Sequence, residues 1–238
     1  DYEKASKKLL SDYKSYKINK TSYLKNQMSI ESIEDGSIFY TEDKYGRFHT
    51  NYTILKKEIR NTYLSINGDS DITELDIKNS QPLFLTLFLK ENNFHLEHTV
   101  EYKKFYKVVK SGKLYDQISE IENISRSDAK KYVYKTMFGS YKYDEKTIGK
   151  NSKAFFSLYP NVWRCMNKYK IEKKNKAIIA WELQKMESNM IFDNICRKLK
   201  REIPGIKLFT VHDSVFFQRK YLDKAEKIFY NYIDLLFR

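Results

Sequence analysis

Apolar residues recur along this chain with more than one period, and the changes of period mark its segments. From Asp1 to about Asn26, intermittent Leu residues lie in a Lys-, Tyr- and Ser-rich background that suits helices on a basic surface. Between Ser37 and Leu64, Ile38 and Tyr40, then Phe48, Tyr52 and Ile54, alternate about Asp43 and Tyr45-Gly46, which predicts short strands and a hairpin. Asp71 to Ile77 alternates after the turn signal Asn67-Gly68-Asp69, so Asp76 is expected near the end of a strand. Asn79 or Ser80 can cap the following helix, with Pro82 in its first turn. The run from Pro82 to Leu89 is the length of a buried helix, well short of a membrane span.

Helical patterns fill the middle of the chain. About Glu101 to Lys110 and Lys113 to Glu122 read as helices, and Ser125 or Ser127 opens a third that stops at Gly139. After Tyr159-Pro160, Leu183, Met186, Met190, Ile195 and Leu199 recur at steps of three to five residues until Pro204-Gly205. Ile206 to Val211 and Ser214 to Phe217 are apolar runs on either side of His212-Asp213, a predicted β-hairpin with the acid at its tip. A last helix, about Leu222 to Leu236, turns Ala225, Ile228, Phe229, Tyr232 and Leu236 toward a core. No repeat or Gly/Pro-rich linker breaks this order, so the economical fold is α+β, with a helical insertion between Gln81 and Lys207.

Composition narrows the partners. With 238 residues, 41% of them hydrophobic and 16% aromatic, the chain can bury one substantial core or a core plus a subdomain. A formal net charge of +13 favours an anionic partner, nucleic acid before a membrane surface. Lys dominates the basic residues, so the rarer Arg47, Arg60 and Arg126 are the more informative cations. Cys165 and Cys196 lie far apart with no His at ligand spacing, the usage of a reduced cytoplasmic protein without a zinc site. No signal peptide is visible, and a start at Asp1 without Met suggests a fragment or processed product.

Three segments then supply chemistry. Asp76 and Asp213, each expected at a strand end, could hold divalent ions if their strands are neighbours. Between them Arg126, Lys130, Tyr134 and Phe138 stand four residues apart and fall on one helical stripe. A triphosphate would meet the cations, and its base and sugar would stack on the aromatics. Each acid alone reads more simply as a turn or capping residue. The stripe alone reads as an ordinary amphipathic helix, and it is the ordered set of three that points to nucleotide chemistry.

These residues resemble the family A DNA polymerases, relatives of bacterial DNA polymerase I. Leu75-Asp76 with Ser80-Gln81 looks like motif A, Arg126 to Phe138-Gly139 like motif B on the fingers helix, and Val211-His212-Asp213 like motif C. Tyr45-Gly46-Arg47-Phe48-His49-Thr50, followed by Arg60, is similar to the family's Gly-Arg-x-His-Thr element. The resemblance implies a right-hand polymerase with an antiparallel palm sheet, a helical fingers insertion and a reduced or missing thumb. Residues 1–40 would be a basic thumb remnant or linker, 41–90 the first part of the palm, 91–180 the fingers, and 181–238 the rest of the palm.

The same resemblance implies that Asp76, Asp213 and the Ile77 carbonyl bind two Mg²⁺ ions, with Mn²⁺ able to stand in. Arg126 and Lys130 would grip the triphosphate, Lys130 would protonate the leaving pyrophosphate, and Tyr134, Phe138 and Gln81 would complete the nucleotide site. His212 would sit beside the primer terminus; Arg47, His49, Arg60, Lys56, Lys57 and Glu187 would contact primer and template. The implied partners are primed DNA and dNTPs, with a larger parent polypeptide or a clamping partner for processivity and no membrane. No acidic cluster supplies a proofreading exonuclease.

The chain departs from the family where the sugar is read. Gln81 stands where the DNA enzymes carry Glu, and Ser214 follows His-Asp as in single-subunit phage-type RNA polymerases. Phe138 replaces the Tyr common to both groups, while Tyr134 is the variant that tolerates a missing 3′-hydroxyl. NTPs therefore remain candidate substrates, as for a primase or RNA polymerase on the same palm. A non-catalytic nucleic-acid-binding module with a degenerate palm is the reading from another class.

Overall fold

A computed structural model describes residues 1–44, 46–92, 95–141, 149 and 152–237; Tyr45, the first residue of the Gly-Arg-x-His-Thr segment, lies outside them. The chain forms two compact units, Asp1–Ile77 with Ser188–Arg238, and Lys78–Glu187. The first is discontinuous in sequence and carries the sheets; the second is helical.

Two capped helices open the sheet unit. Asp1 accepts from the Lys4 N–H at the start of α1 (Tyr2–Lys14), and Asn19 accepts from the Ser22 N–H at the start of α2 (Lys20–Glu34). Ala5, Leu9 and Ile30 from these helices bury together with Leu55 and Ile59. The N-terminal segment therefore shares a core with the chain that follows. β1 (Tyr40–Glu42) and β2 (Phe48–Thr50) form the expected antiparallel hairpin, with Thr41 opposite His49.

The alternation ends there. Tyr52 and Ile54, expected in strands, are helical because Thr50 and Thr53 bond each other's backbone in a capping box that starts α3 (Asn51–Ile54). α4 (Lys57–Tyr63) follows, and the Tyr52 ring stacks on Phe209 with centroids 4.6 Å apart. Asn67 and Gly68 take φ values of 53° and 79°, closing a tight turn in which Ile66 bridges Asp69 before β3 (Ile72–Asp76).

The helical unit begins with α5 (Ser80–Glu91), which buries nine of its residues from Ser80 to Leu89. Asn79 makes no cap bond; its backbone is left-handed and its Nδ2 donates to the Val109 carbonyl at 3.2 Å. Then come α6 (Val100–Lys110), α7 (Leu114–Glu122), α8 (Arg126–Phe138), α9 (Lys153–Leu158), α10 (Pro160–Glu172) and α11 (Ile178–Asn189), the last running on into the sheet unit. Phe105, Phe155 and Tyr159 meet edge to face at 4.9 to 5.9 Å in its core. Because α5 packs on α6, this unit starts at Lys78 rather than at residue 91 and ends at Glu187 rather than at residue 180.

Back in the sheet unit, Met190–Cys196 is a π-helical stretch leading into α12 (Arg197–Glu202). It falls where the apolar pattern takes a five-residue step, from Met190 to Ile195, and the wider turn keeps both side chains buried. β4 (Phe209–Val211) and β5 (Ser214–Gln218) follow, and the sheet order is β3-β5-β4, antiparallel throughout. β5 is the central strand, so Val215 to Gln218 are buried without alternation. α13 (Leu222–Leu236) packs on β3 and on the π-helical stretch, burying Ala225, Ile228 and Phe229. The fold is thus mixed α+β with small antiparallel sheets, and among the described residues no helix is long and apolar enough to cross a membrane.

Candidate active site

Sheet register decides where the two acids fall. Asp76, the last residue of β3, lies opposite Ser214, the first residue of β5. Val211 pairs with Ser214, which leaves His212 and Asp213 as a two-residue turn. His212 has φ 55°, the left-handed value that a primed hairpin turn requires. The turn sets the Asp213 carboxylate beside that of Asp76. Ser214 Oγ donates to Asp76 Oδ1 at 3.2 Å, and the Ile77 N–H also donates to this carboxylate.

Burial, then the charge of Asp213, pushes the Asp76 carboxyl up to about 6, against two hydrogen bonds that favour its anion. Two close carboxylates, Asp76 at the end of β3 and Asp213 in the turn between β4 and β5, fit Mg²⁺, which takes one or two carboxylates and fills its other positions with water and substrate oxygens. Among the described residues no group of three His, Cys, Asp or Glu side chains stands ready as a closed metal cage.

A pH dependence follows from the direction of this shift. The folded chain holds a proton on Asp76 that the unfolded chain has released, so this group stabilises the fold fully below the ordinary carboxylate range. That contribution disappears as the pH rises through about 6. A divalent ion, if held by Asp76 and Asp213, would compete with the proton for the same oxygens. Thermal melts with and without excess Mg²⁺ should therefore show metal stabilisation at about pH 7.5 and little at about pH 5.

Cations surround the hairpin turn. His212 is pushed down to about 4 by burial, then by Arg47, His49 and Arg60, so its imidazole is neutral near pH 7. Asp43 organises two of these neighbours, accepting from the Arg47 N–H at 3.0 Å and pairing with His49 Nε2 at 3.0 Å. Arg60 has a different job from the duplex contact expected of it. It is buried, donates to the Tyr52 and Leu55 carbonyls at 3.1 and 3.0 Å, and lies 5.5 Å over the Phe216 ring.

Lys56 pairs with buried Asp12 at 3.7 Å, while exposed Lys57 reaches Glu74 at 3.8 Å, so of the two Lys57 stays open to an outside phosphate. Tyr230 on α13 also belongs to this neighbourhood, its phenol raised by burial, then by Glu226 and Asp76.

In the helical unit, α8 turns Ala129, Tyr132, Val133, Thr136 and Met137 inward. The stripe lies on the other side: Arg126 and Lys130 are exposed, and Tyr134 and Phe138 are half-buried. The Tyr134 and Phe138 rings stand 5.5 Å apart, and Lys130 Nζ is 5.6 Å from the Tyr134 ring centre. Arg126 bonds Asp116 at 2.9 Å and the Gly112 carbonyl at 3.3 Å while lying over Tyr115. The stripe's aromatics are therefore outside the core, a row of ring faces preceded by two cations. Gly139 ends the helix because a Cβ there would meet the Lys135 carbonyl oxygen at 2.3 Å.

Gln81 and Glu187 come together in the same unit. Gln81 Nε2 donates to Glu187 Oε2 at 2.6 Å, and Ser80 Oγ donates to the same oxygen. Both residues are buried, so Glu187 is an internal acceptor holding the start of α5, in place of the template contact expected of it.

The sheet unit thus gathers Asp76, Ile77, Asp213 and His212 with Arg47 and His49, and the helical unit carries the α8 stripe, Gln81 and Glu187. Ser214, Asp43 and Tyr230 complete the first group, and of these Tyr230 has no pattern in the sequence that marks it. No protein-family model, curated protein or solved structure matches the chain.

Proposed function

We propose that this chain is a Mg²⁺-dependent, template-directed nucleotidyltransferase, in the first place a DNA-directed DNA polymerase without proofreading, with Asp76 and Asp213 as its metal ligands. On this reading the β3-β5-β4 sheet is a palm and the helical unit the fingers. The observation that carries it is the juxtaposition of two carboxylates from distant segments, with Asp76 held up near 6 by burial and by Asp213. The order of exposed cations and half-buried aromatics on α8 supports it, as does the net charge of +13. Free Cys165 and Cys196 accord with work in a reducing cytoplasm.

The metal ions, when bound, supply Lewis-acid activation of a primer hydroxyl and charge neutralisation on the phosphates. Asp76 at the end of β3 and Asp213 in the adjoining turn would hold those ions, and the Ser214 hydroxyl, donating to Asp76, would help fix its carboxylate. The primer hydroxyl would lose its proton to solvent as its oxygen bonds the α-phosphorus, while the bond to the bridging oxygen breaks and pyrophosphate leaves. Lys130 donates the proton that the leaving group takes up, and Arg126 exchanges Asp116 for phosphate oxygens. Tyr134 and Phe138 offer their faces to the base and sugar, and Arg47, His49 and His212 line the approach of the primer end.

Primer extension on a primed template, run with dNTPs or NTPs and with or without primer, tests this function and separates the polymerase from a primase or RNA polymerase. Expected is Mg²⁺-dependent incorporation, with Lys130→Ala lowering kcat/KM for the nucleotide by about 10²-fold at unchanged template affinity. Salt-sensitive DNA binding without any Mg²⁺-dependent turnover would overturn the catalytic reading in favour of a binding module.

A further inference from the structure

We propose that the helical unit contains a binding cavity for a small oxyanion, phosphate-like in charge and size, with Lys170 as its charged residue. Lys170 lies on α10 and is 3% exposed. Its Nζ donates to the Gly139 carbonyl at 3.0 Å and to the Thr136 carbonyl at 3.5 Å. No carboxylate among the described residues pairs with it, and burial alone pulls its amine down to about 8. A buried ammonium normally has a counter-charge, and the carbonyls at the end of α8 supply only the partial charge of a helix terminus. Those two bonds use two of its three N–H groups.

Beside Lys170 there is room for an anion. A cavity of about 240 Å³ is bordered by Lys170, Lys135, Ser140 and Asn167, with Trp163 and Met166 as its apolar wall. That is below the roughly 300–1,000 Å³ of pockets for drug-sized ligands, so the occupant is small. A second cation and neutral donors beside an uncompensated ammonium select an anion over a neutral solute. Helix capping by Lys170 accounts for its two bonds, but a neutral donor could do that without bringing a charge into the interior.

The cavity is separate from the triphosphate cations. Arg126 and Thr136 are about 15 Å apart along α8, so Lys170 acts at the opposite end of that helix. The inference needs nothing from Asp76 or Asp213 and stands whether or not the chain transfers nucleotides.

Lysine ¹³Cε spectra of the full chain, with the Lys170 signal assigned through Lys170→Arg, provide the test. Titration with inorganic phosphate should raise the Lys170 midpoint by at least about one pH unit, equivalent to tenfold tighter binding to the charged amine. Calorimetry should show saturable phosphate binding that weakens at least about tenfold in Lys170→Met and persists in Lys130→Ala. An unmoved Lys170 midpoint in the wild-type chain overturns the proposal even if Lys170→Met does not fold. Equal phosphate affinity in a folded Lys170→Met overturns it as well. Sulfate and pyrophosphate in parallel titrations separate a general oxyanion cavity from one that takes the product of nucleotidyl transfer.

Discussion

Asp76→Asn and Asp213→Asn each abolish Mg²⁺-dependent incorporation, by about 10³-fold or more, and each raises the melting temperature of the metal-free chain near pH 7. Loss of activity follows from the donor set: an amide brings no charge to a divalent ion, and 10³-fold corresponds to about 4 kcal/mol of lost transition-state stabilisation. The stability gain follows from the same geometry. Burial and Asp213 hold the Asp76 carboxyl up near 6, so at neutral pH the metal-free pair consists of two anions that oppose each other at the sheet end. A neutral amide removes that repulsion and can still accept from Ser214 Oγ.

Below about pH 5 wild type and Asp76→Asn should melt together, because protonation has already removed the charge. Added Mg²⁺ should stabilise wild type and leave both variants unchanged. Extension at wild-type rates by both variants would end the metal assignment. A lower melting point in both variants at neutral pH would show that the carboxylates make stabilising contacts instead.

The parts of the fold that could be read from sequence are those with local causes. Asn67-Gly68 turns into β3 with positive φ at both positions, and in the His212-Asp213 turn between β4 and β5 His212 takes the positive φ. α13 runs from Leu222 to Leu236 because its apolar residues keep one face. A short-range bond overrides the pattern where the Thr50–Thr53 box makes Tyr52 and Ile54 helical, and a distant partner does so where Asn79 bonds the Val109 carbonyl.

The candidate site divides in the same way. Asp76 and Asp213 were legible as strand-end acids, but their adjacency depends on β5 lying between β3 and β4, which is a property of pairing across the whole chain. Glu187 and Lys170 look like surface charges in sequence, and only packing makes them interior. The five-residue step at Met190 was visible, yet its meaning as a π-helical turn needed the observation that both Met190 and Ile195 stay buried.

Arg60→Ala destabilises the chain by about 3 kcal/mol, seen as a fall of roughly 6–12 °C in melting temperature, while leaving the salt dependence of DNA binding almost unchanged. The basis is that Arg60 is spent inside the sheet unit. Its removal leaves the Tyr52 and Leu55 carbonyls without their donor and opens a gap over Phe216. Burial lowers the pKa of its guanidinium and the charge of Glu74 raises it, and only 7% of the residue is exposed to an outside phosphate.

A duplex contact would give the opposite pair of results: an unchanged melting temperature and a log K against log salt slope reduced by about one unit. Lys57→Ala, at an exposed site, should behave in that second way. Phe216 and Phe209 stack at 4.7 Å across β5 and β4, and Tyr52 stacks on Phe209, so Arg60 braces the hairpin that carries Asp213. Arg60→Ala should therefore lower incorporation through loss of hairpin order, recoverable in part by cooling, whereas the loss in Asp213→Asn is insensitive to temperature.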